Sequence, residues 1–464
     1  MRSSNLLGRN LFPLPSPKIL PAMKYFVYPL ALLLTLASCQ KNDFEKIFKD
    51  PLVYTNTVHE LNDVVMGNNF SPIVASRNYL YANVAAYEVI AAGYPDKLQS
   101  LSGQLNGLQS IPKPAAGKNI NYEFAALLAF CNLGESVTFP KGSMEYYVDS
   151  LKTMAKDHGM PSDVYNNSMQ FAQDVSNVIT EWSRQDNYAE TRSMAKYTVD
   201  MQKEGRWIPT PPAYAQAMEP SWKLMRPLVM DSATQFEPPP PPTFNIKDTS
   251  SEYYKQVIMV KNAVDSLTPE QQHIAMFWDD NPFKLNVSGH LMFATKKFSP
   301  PGHWQGIIGI AAKQAGFDFP NAVYAYAKTS IAMFDAFIQC WEAKYRYETI
   351  RPESVINKYI DPGWRPYLET PPFPEYTCGH STCSSAAGEA LTSVFGDNFS
   401  YTDTTELEFG IPSRSYKSFR HAAEENNWAR FYGGIHFHNS CIISTDYGRK
   451  VGNFVVEKLK MKRE

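Results

Sequence analysis

Three short stretches toward the end of the chain carry cations and histidines at spacings that could do chemistry. In KYRYETIRP, Lys344 and Arg351 stand seven residues apart, two helical turns, so both side chains can share a face. Pro352 disfavours helical geometry at Arg351, which puts that arginine at a helix end with its fork free to aim. In PEYTCGHST, Cys378, Gly379 and His380 approach a segment of helix-compatible composition, Ser381 to Phe395, that stops at Gly396. Gly379 and His380 then present backbone N–H groups at the positive end of that helix. In ARFYGGIHFHNS, Arg430 and His436 are separated by a Gly433-Gly434 break, so one ends a helix and the other begins the next. Lys344, Arg351 and Arg430 supply three positive charges and the helix N-terminus supplies donors, which together suit a tetrahedral oxyanion with several negative charges. Arginine fits this task because its planar fork contacts two oxygens at once and keeps its charge. Of the two histidines, one can bond to or attack the central atom while the other moves a proton.

Read together, Lys344-x6-Arg351-Pro352, Cys378-Gly379-His380 and Arg430-x5-His436 resemble the three-part signature of the type 2 phosphatidic acid phosphatase and vanadium haloperoxidase superfamily, KxxxxxxRP, PSGH and SRxxxxxHxxxD. Order and spacing are kept, and three separated motifs agreeing is a specific signal where any one alone is weak. PEYTCGHST, FGIPSRSYKSF and RFYGGIHF look like the bacterial haloperoxidase-like branch, as does the long helical stretch upstream. The resemblance implies an all-α helical bundle with an N-terminal helical extension. It implies that Lys344, Arg351 and Arg430 hold the oxygens of vanadate or phosphate, with Cys378 and the Gly379 amide at the same group. His436 would be the axial ligand to vanadium or the nucleophile forming a phosphohistidine, and His380 the acid–base. Hydrogen peroxide and a halide are the substrates implied for a haloperoxidase, and a phosphomonoester for a phosphatase. A third reading is an envelope protein that binds an oxyanion without turnover.

Two positions depart from the family pattern. Cys378 replaces the serine of PSGH, a larger and weaker donor, and a thiol beside a peroxide-activating centre risks oxidation. Ser440 replaces the acidic residue four after the second histidine; on a helix it would lie one turn below His436 and orient its other ring nitrogen. A serine cannot stabilise an imidazolium by charge, so a less basic His436 is expected. Asp446 falls on a different helical face. Arg346 and Arg414 match no motif position and read as surface or supporting residues, and His438 as structural. SPPGHW, Ser299 to Trp304, mimics PSGH but precedes the lysine–arginine motif, so it reads as a turn, with His303 or Trp304 a candidate for the pocket entrance. His290 and Asp279-Asp280 lack metal-binding spacing, and the acidic pair reads as solvated.

The elements that must position these residues are helical. Ile73, Leu80, Val84, Tyr87 and Ala91 recur at three- to four-residue intervals, and similar spacing runs through YEFAALLAFCNL, NNSMQFAQDVSNVITEWSR and PNAVYAYAKTSIAMFDAFIQCWEAKYR, where Pro320 can open a helix. Strand-like alternation is scarce. Between Gly205 and Phe244 the chain becomes proline-rich, and Pro238 to Pro242 is expected to be a stiff, extended spacer across the surface. The organisation read is a signal peptide over 1–39, a polar tether over 40–50, an N-terminal helical region over 51–245 ending in this connector, and a C-terminal phosphatase- or haloperoxidase-like domain over 246–464.

With 464 residues, 44% of them apolar, 27 Tyr, 27 Phe and 8 Trp, the chain can bury one large core or two modest ones. A net charge of −2, from 44 basic and 46 acidic side chains, with no long basic run, argues against nucleic acid as a partner. MKYFVYPLALLLTLASC, from Met23 as the start, reads as a signal peptide too short to span a bilayer comfortably. Leu36-Ala37-Ser38-Cys39 resembles the bacterial lipobox, which implies acylation at Cys39, export and a membrane anchor in the cell envelope. Export would place Cys131, Cys340, Cys378, Cys383 and Cys441 where disulfides are allowed, and an odd number leaves at least one free. The oligomeric state is left open.

Overall fold

The computed structural model describes residues 42–282, 284–288, 291–295 and 297–463, the side chains of 284–295 excepted. The signal peptide, Cys39 of the lipobox and His290 lie outside the described residues. Within the stretch read as a tether, α1 (Phe44–Phe48) forms and buries Phe44 and Phe48. It is followed by α2 (Pro51–Gly67), α3 (Pro72–Gly93), α4 (Tyr122–Val137), α5 (Glu145–Asp157), α6 (Ser162–Ser183) and α7 (Tyr188–Ser193). After the proline-rich connector come α8 (Glu252–Asp265), α9 (Pro269–Phe277) and the hairpin of β1 (Lys284–Ser288) with β2 (Leu291–Thr295). Then follow α10 (Pro300–Gln314), α11 (Phe319–Tyr347), α12 (Pro352–Tyr359) and α13 (Gly379–Phe395). A second short antiparallel pair, β3 (Tyr401–Asp403) with β4 (Arg414–Tyr416), precedes α14 (Phe419–Tyr432) and α15 (His438–Lys458).

Local chemistry explains the helix starts. Asp50, Ser71, Ser251, Ser299 and Asp318 each cap a first-turn amide, and proline occupies the first turn of α2, α3, α10 and α11. The periodic residues of α3 are buried, but so is every residue from Ile73 to Ala91. A helix buried all round has neighbours on every side: α3 packs on α4, α6 and α11. The 29-residue α11 packs against α3 as well as against α13 and α15, and Lys41–Glu464 forms one compact unit across residue 245. The connector lies against the C-terminal helices, where Tyr347 and Tyr376 donate their hydroxyls to Pro238 O and Pro239 O.

Helices α13 and α15 approach each other closely. A Cβ at Gly448 would collide with Thr382 O, and one at Gly452 would come within 2.8 Å of Ala386 O. Glycine lets the two backbones meet here. One turn earlier on both helices, the Cys378 amide donates to Ser444 Oγ at 2.8 Å.

Candidate active site

Each motif cation sits where two elements meet. Lys344 lies in the last turn of α11, which ends at Glu348 in a left-handed conformation with φ 50°. Arg351 is the residue before α12 rather than the end of α11, extended at ψ 152° as Pro352 requires. Arg430 lies in the last turn of α14, and Gly434, at φ 76°, turns the chain back toward His436. All three cations are buried, and among the described residues none makes an ion pair with a carboxylate.

Backbone carbonyls hold them instead. Lys344 Nζ donates to Pro374 O at 2.8 Å and Glu375 O at 3.0 Å. Arg351 donates from Nε to Phe373 O and from Nη1 to Ile435 O, both at 2.8 Å, and its Nη1 lies 3.0 Å from His436 Nε2. Arg430 Nη1 donates to Trp278 O at 2.7 Å and Asp279 O at 3.2 Å. Carbonyls fix the forks without cancelling their charge. Burial then pushes Lys344 down to about 8 and Arg351 down to about 10, and burial together with Arg430 holds His380 well below the usual histidine range. His380 is therefore a neutral base at pH 7.

His436 is oriented by a residue the sequence did not single out. Its Nδ1 lies 2.8 Å from Glu375 Oε1, which also accepts the Phe437 amide at 3.2 Å. The expectation for Ser440 is corrected: its Oγ is buried with no hydrogen-bond partner. The reason is local, because α15 starts at His438, so His436 precedes the helix and the one-turn relation to Ser440 does not apply. Glu375 supplies the carboxylate that the motif position lacks. It stands within PEYTCGHST, but its partner is 61 residues downstream, a pairing no spacing rule reveals.

Cys378 precedes α13 in an extended conformation with no side-chain cap, so the first-turn amides beginning at Gly379 have no partner within the helix. Burial works against ionising its thiol, but Cys441, His436 and His380 outweigh burial and draw it well below the ordinary thiol range. All five described cysteines are free.

Residues 324–464 match the family model of the VCPO second helical-bundle domain. The chain superposes with a TM-score of 0.84 on the crystal structure described as the first bacterial vanadium-dependent iodoperoxidase, at 45% sequence identity over 89% of this chain and 98% of that one. The chain belongs to the vanadium-dependent haloperoxidase family. Apo-type and holo-type bacterial vanadium-dependent chloroperoxidase structures share the fold, with TM-scores of 0.61 and 0.58 at 16% and 18% identity; each match covers 84% of this chain, and 94% and 93% of theirs. No curated protein matches.

The site fits the oxyanion that gives this haloperoxidase family its name. Arg351 Nη2, Arg430 Nε and His380 Nε2 are buried without a hydrogen-bond partner. A buried polar group left unpaired costs about 1–3 kcal/mol, and a tetrahedral oxyanion is the shape and charge that such groups can share. His380 and Arg430 also line a cavity of about 690 Å³ whose walls include Phe70, Phe139, Met218 and Phe373.

The remaining sequence expectations divide. Arg346 pairs with Glu342 and Glu237, and Arg414 with Glu425 and Glu270, in supporting positions. His438 packs its ring on Trp428 and Phe431. SPPGHW is not a turn but the start of α10, capped by Ser299. His303 and Trp304 are buried and neither lines the cavity. Asp279 and Asp280 are buried rather than solvated. Asp280 Oδ1 lies 2.8 Å from His303 Nδ1, and Asp403 Oδ2 lies 2.9 Å from His303 Nε2. Trp278 stacks on the ring at 4.6 Å between centroids. Burial works against the charged ring, but Asp280 and Asp403 prevail and hold His303 well above the usual histidine value. This cluster anchors the segment whose carbonyls aim Arg430.

Proposed function

We propose that the chain is a haloperoxidase that binds vanadate and uses hydrogen peroxide to oxidise a halide, with iodide the first candidate because of the iodoperoxidase relative. The observation that carries this reading is the set of three buried, carboxylate-free cations around a histidine whose far nitrogen is held by Glu375. Lys344, Arg351 and Arg430 would hold the vanadate oxygens, with the Gly379 amide adding a donor and Cys378 alongside. His436 Nε2 would be the ligand to the metal. Bound vanadate supplies a Lewis-acidic centre that activates peroxide. His380, neutral and without a partner at Nε2, is placed to take a proton from incoming peroxide. Loading the protein with vanadate and supplying peroxide with iodide, bromide or chloride should form the oxidised halogen. Absence of turnover with every halide refutes the reading, and His380→Ala should lower turnover by about 10²–10⁴-fold.

Phosphomonoester hydrolysis through a phosphohistidine at His436 is the second reading, favoured by the oxidisable Cys378 in the site. Trapping phosphate on His436, with vanadate acting as an inhibitor, would decide for it. The third reading, an oxyanion binder without turnover, would be favoured if neither activity appeared while phosphate still bound. We also propose export and lipid anchoring in the cell envelope through Cys39. Incorporation of labelled fatty acid, abolished by Cys39→Ser, is the expected result, and incorporation that persists in the variant refutes it. Among the described residues no helix is long and apolar enough to cross a membrane.

A further inference from the structure

The α13–α15 seam brings two thiols together at the edge of the oxyanion site. Thr382 meets Gly448 and Ala386 meets Gly452 with the backbones in contact, and the same four-residue steps lead back to Cys378 against Ser444. Cys441 lies one turn before Ser444 on α15, on the stretch that the Cys378 amide reaches, and the two thiols perturb one another's ionisation. The neighbouring Cys340 is otherwise engaged: it accepts from Thr377 Oγ1 at 3.2 Å and donates to Thr377 O at 3.7 Å. Cys378 also directly precedes Gly379 and His380 in sequence, and its thiol is influenced by His436, the residue that would hold the vanadate in the proposed function. A thiol in that position would be exposed to peroxide in the proposed function.

We propose that Cys378 and Cys441 form a reversible disulfide when the site is exposed to hydrogen peroxide, with Cys378 the thiol oxidised first and Cys441 the resolving thiol. The proposal rests on the haloperoxidase reading only for the source of the peroxide. In the first step the Cys378 sulfur takes one peroxide oxygen: the O–O bond breaks, an S–O bond forms to give the sulfenic acid, and the other oxygen leaves as water. In the second step the Cys441 sulfur displaces that hydroxyl: an S–S bond forms, the S–O bond breaks, and the Cys441 proton leaves with the hydroxyl as a second water. Two thiols are oxidised and one peroxide is reduced. Without Cys441, further oxidation of Cys378 ends in a sulfinate, a fixed negative charge that repels an oxyanion. The disulfide carries no charge and is undone by a reductant.

The test needs neither vanadate nor halide, so its outcome is independent of whether the chain oxidises halides. The full chain, reduced and then treated with hydrogen peroxide, is unfolded, alkylated, digested and analysed by mass spectrometry. The expected product is a Cys378–Cys441 cross-linked peptide that dithiothreitol clears, with Cys131, Cys340 and Cys383 recovered alkylated. Recovery of Cys378 and Cys441 both as alkylated thiols, or Cys378 linked to Cys340 or Cys383 instead, overturns the proposal. Phosphate binding gives a second readout. After peroxide and then reductant, the natural chain should recover its phosphate affinity, while Cys441→Ser should remain about tenfold or more weaker. Equal recovery in both proteins would assign Cys441 no resolving role and overturn it.

Discussion

Replacing Glu375 with glutamine separates what the structure assigns to this residue from what the motif assigns to Ser440. Glutamine keeps the size of the side chain and an acceptor for His436 Nδ1, now 2.8 Å from a carboxylate oxygen, but removes the charge. A charge-assisted hydrogen bond contributes about 1.5–3 kcal/mol and a neutral one about 0.5–1.5. The difference, about 1–2 kcal/mol, weakens a bond from His436 Nε2 to vanadium by about 5–30-fold at 1.4 kcal/mol per tenfold. The same substitution removes a negative charge close to Lys344 and Arg351, which by itself strengthens any oxyanion. Phosphate, bound without a bond to the imidazole, reports that second effect alone. The quantity to measure by calorimetric titration is therefore the ratio of vanadate to phosphate affinity, expected to fall about 5–30-fold in Glu375→Gln. Ser440→Ala should leave the ratio unchanged, because the Ser440 hydroxyl has no partner. An unchanged ratio in Glu375→Gln, or an equal fall in Ser440→Ala, would refute the assignment.

Oxyanion affinity should decline as pH rises through about 8, since Lys344 without a bound anion loses its proton there while the complex favours the charged form; phosphate titration across that range checks it, and Lys344→Met should remove this limb. His303 is held above its ordinary value by Asp280 and Asp403, so its contribution to stability is complete below the unfolded histidine value of about 6.5 and is lost as pH rises through the folded one. Denaturant midpoints should therefore fall toward alkaline pH, and His303→Gln should flatten that slope. Gly448→Ala should destabilise the fold by about 1–3 kcal/mol, read by denaturant unfolding, because the added methyl collides with Thr382 O.

The sequence carried the helices whose signals are local. Asp318 and Pro320 opened α11, and Gly396, at φ 98°, closed α13 as its composition required. The motif residues Lys344, Arg351, Cys378, Gly379, His380, Arg430 and His436 come together because each stands at an element boundary that Pro352, Gly379 or Gly434 announces. What stayed hidden depends on long-range partners. Glu375 gains its meaning from His436, and the carbonyls of Trp278 and Asp279 gain theirs from Arg430, 152 and 151 residues away. Asp279 and Asp280 resembled an ordinary solvated pair because nothing nearby in the chain shows that His303 and Asp403 close over Asp280. Ser440 misled for the opposite reason: a family spacing was applied across a helix start that falls two residues late.

Because the three cations are tethered to main-chain oxygens from residues 278–279, 373–375 and 435, the loops and the guanidinium and ammonium groups are one mechanical unit. An oxyanion gripping all three cations at once would draw together stretches of chain that are remote in sequence. Loading should therefore be felt as slower amide exchange and slower proteolytic nicking in these loops, well beyond the atoms that touch the ligand.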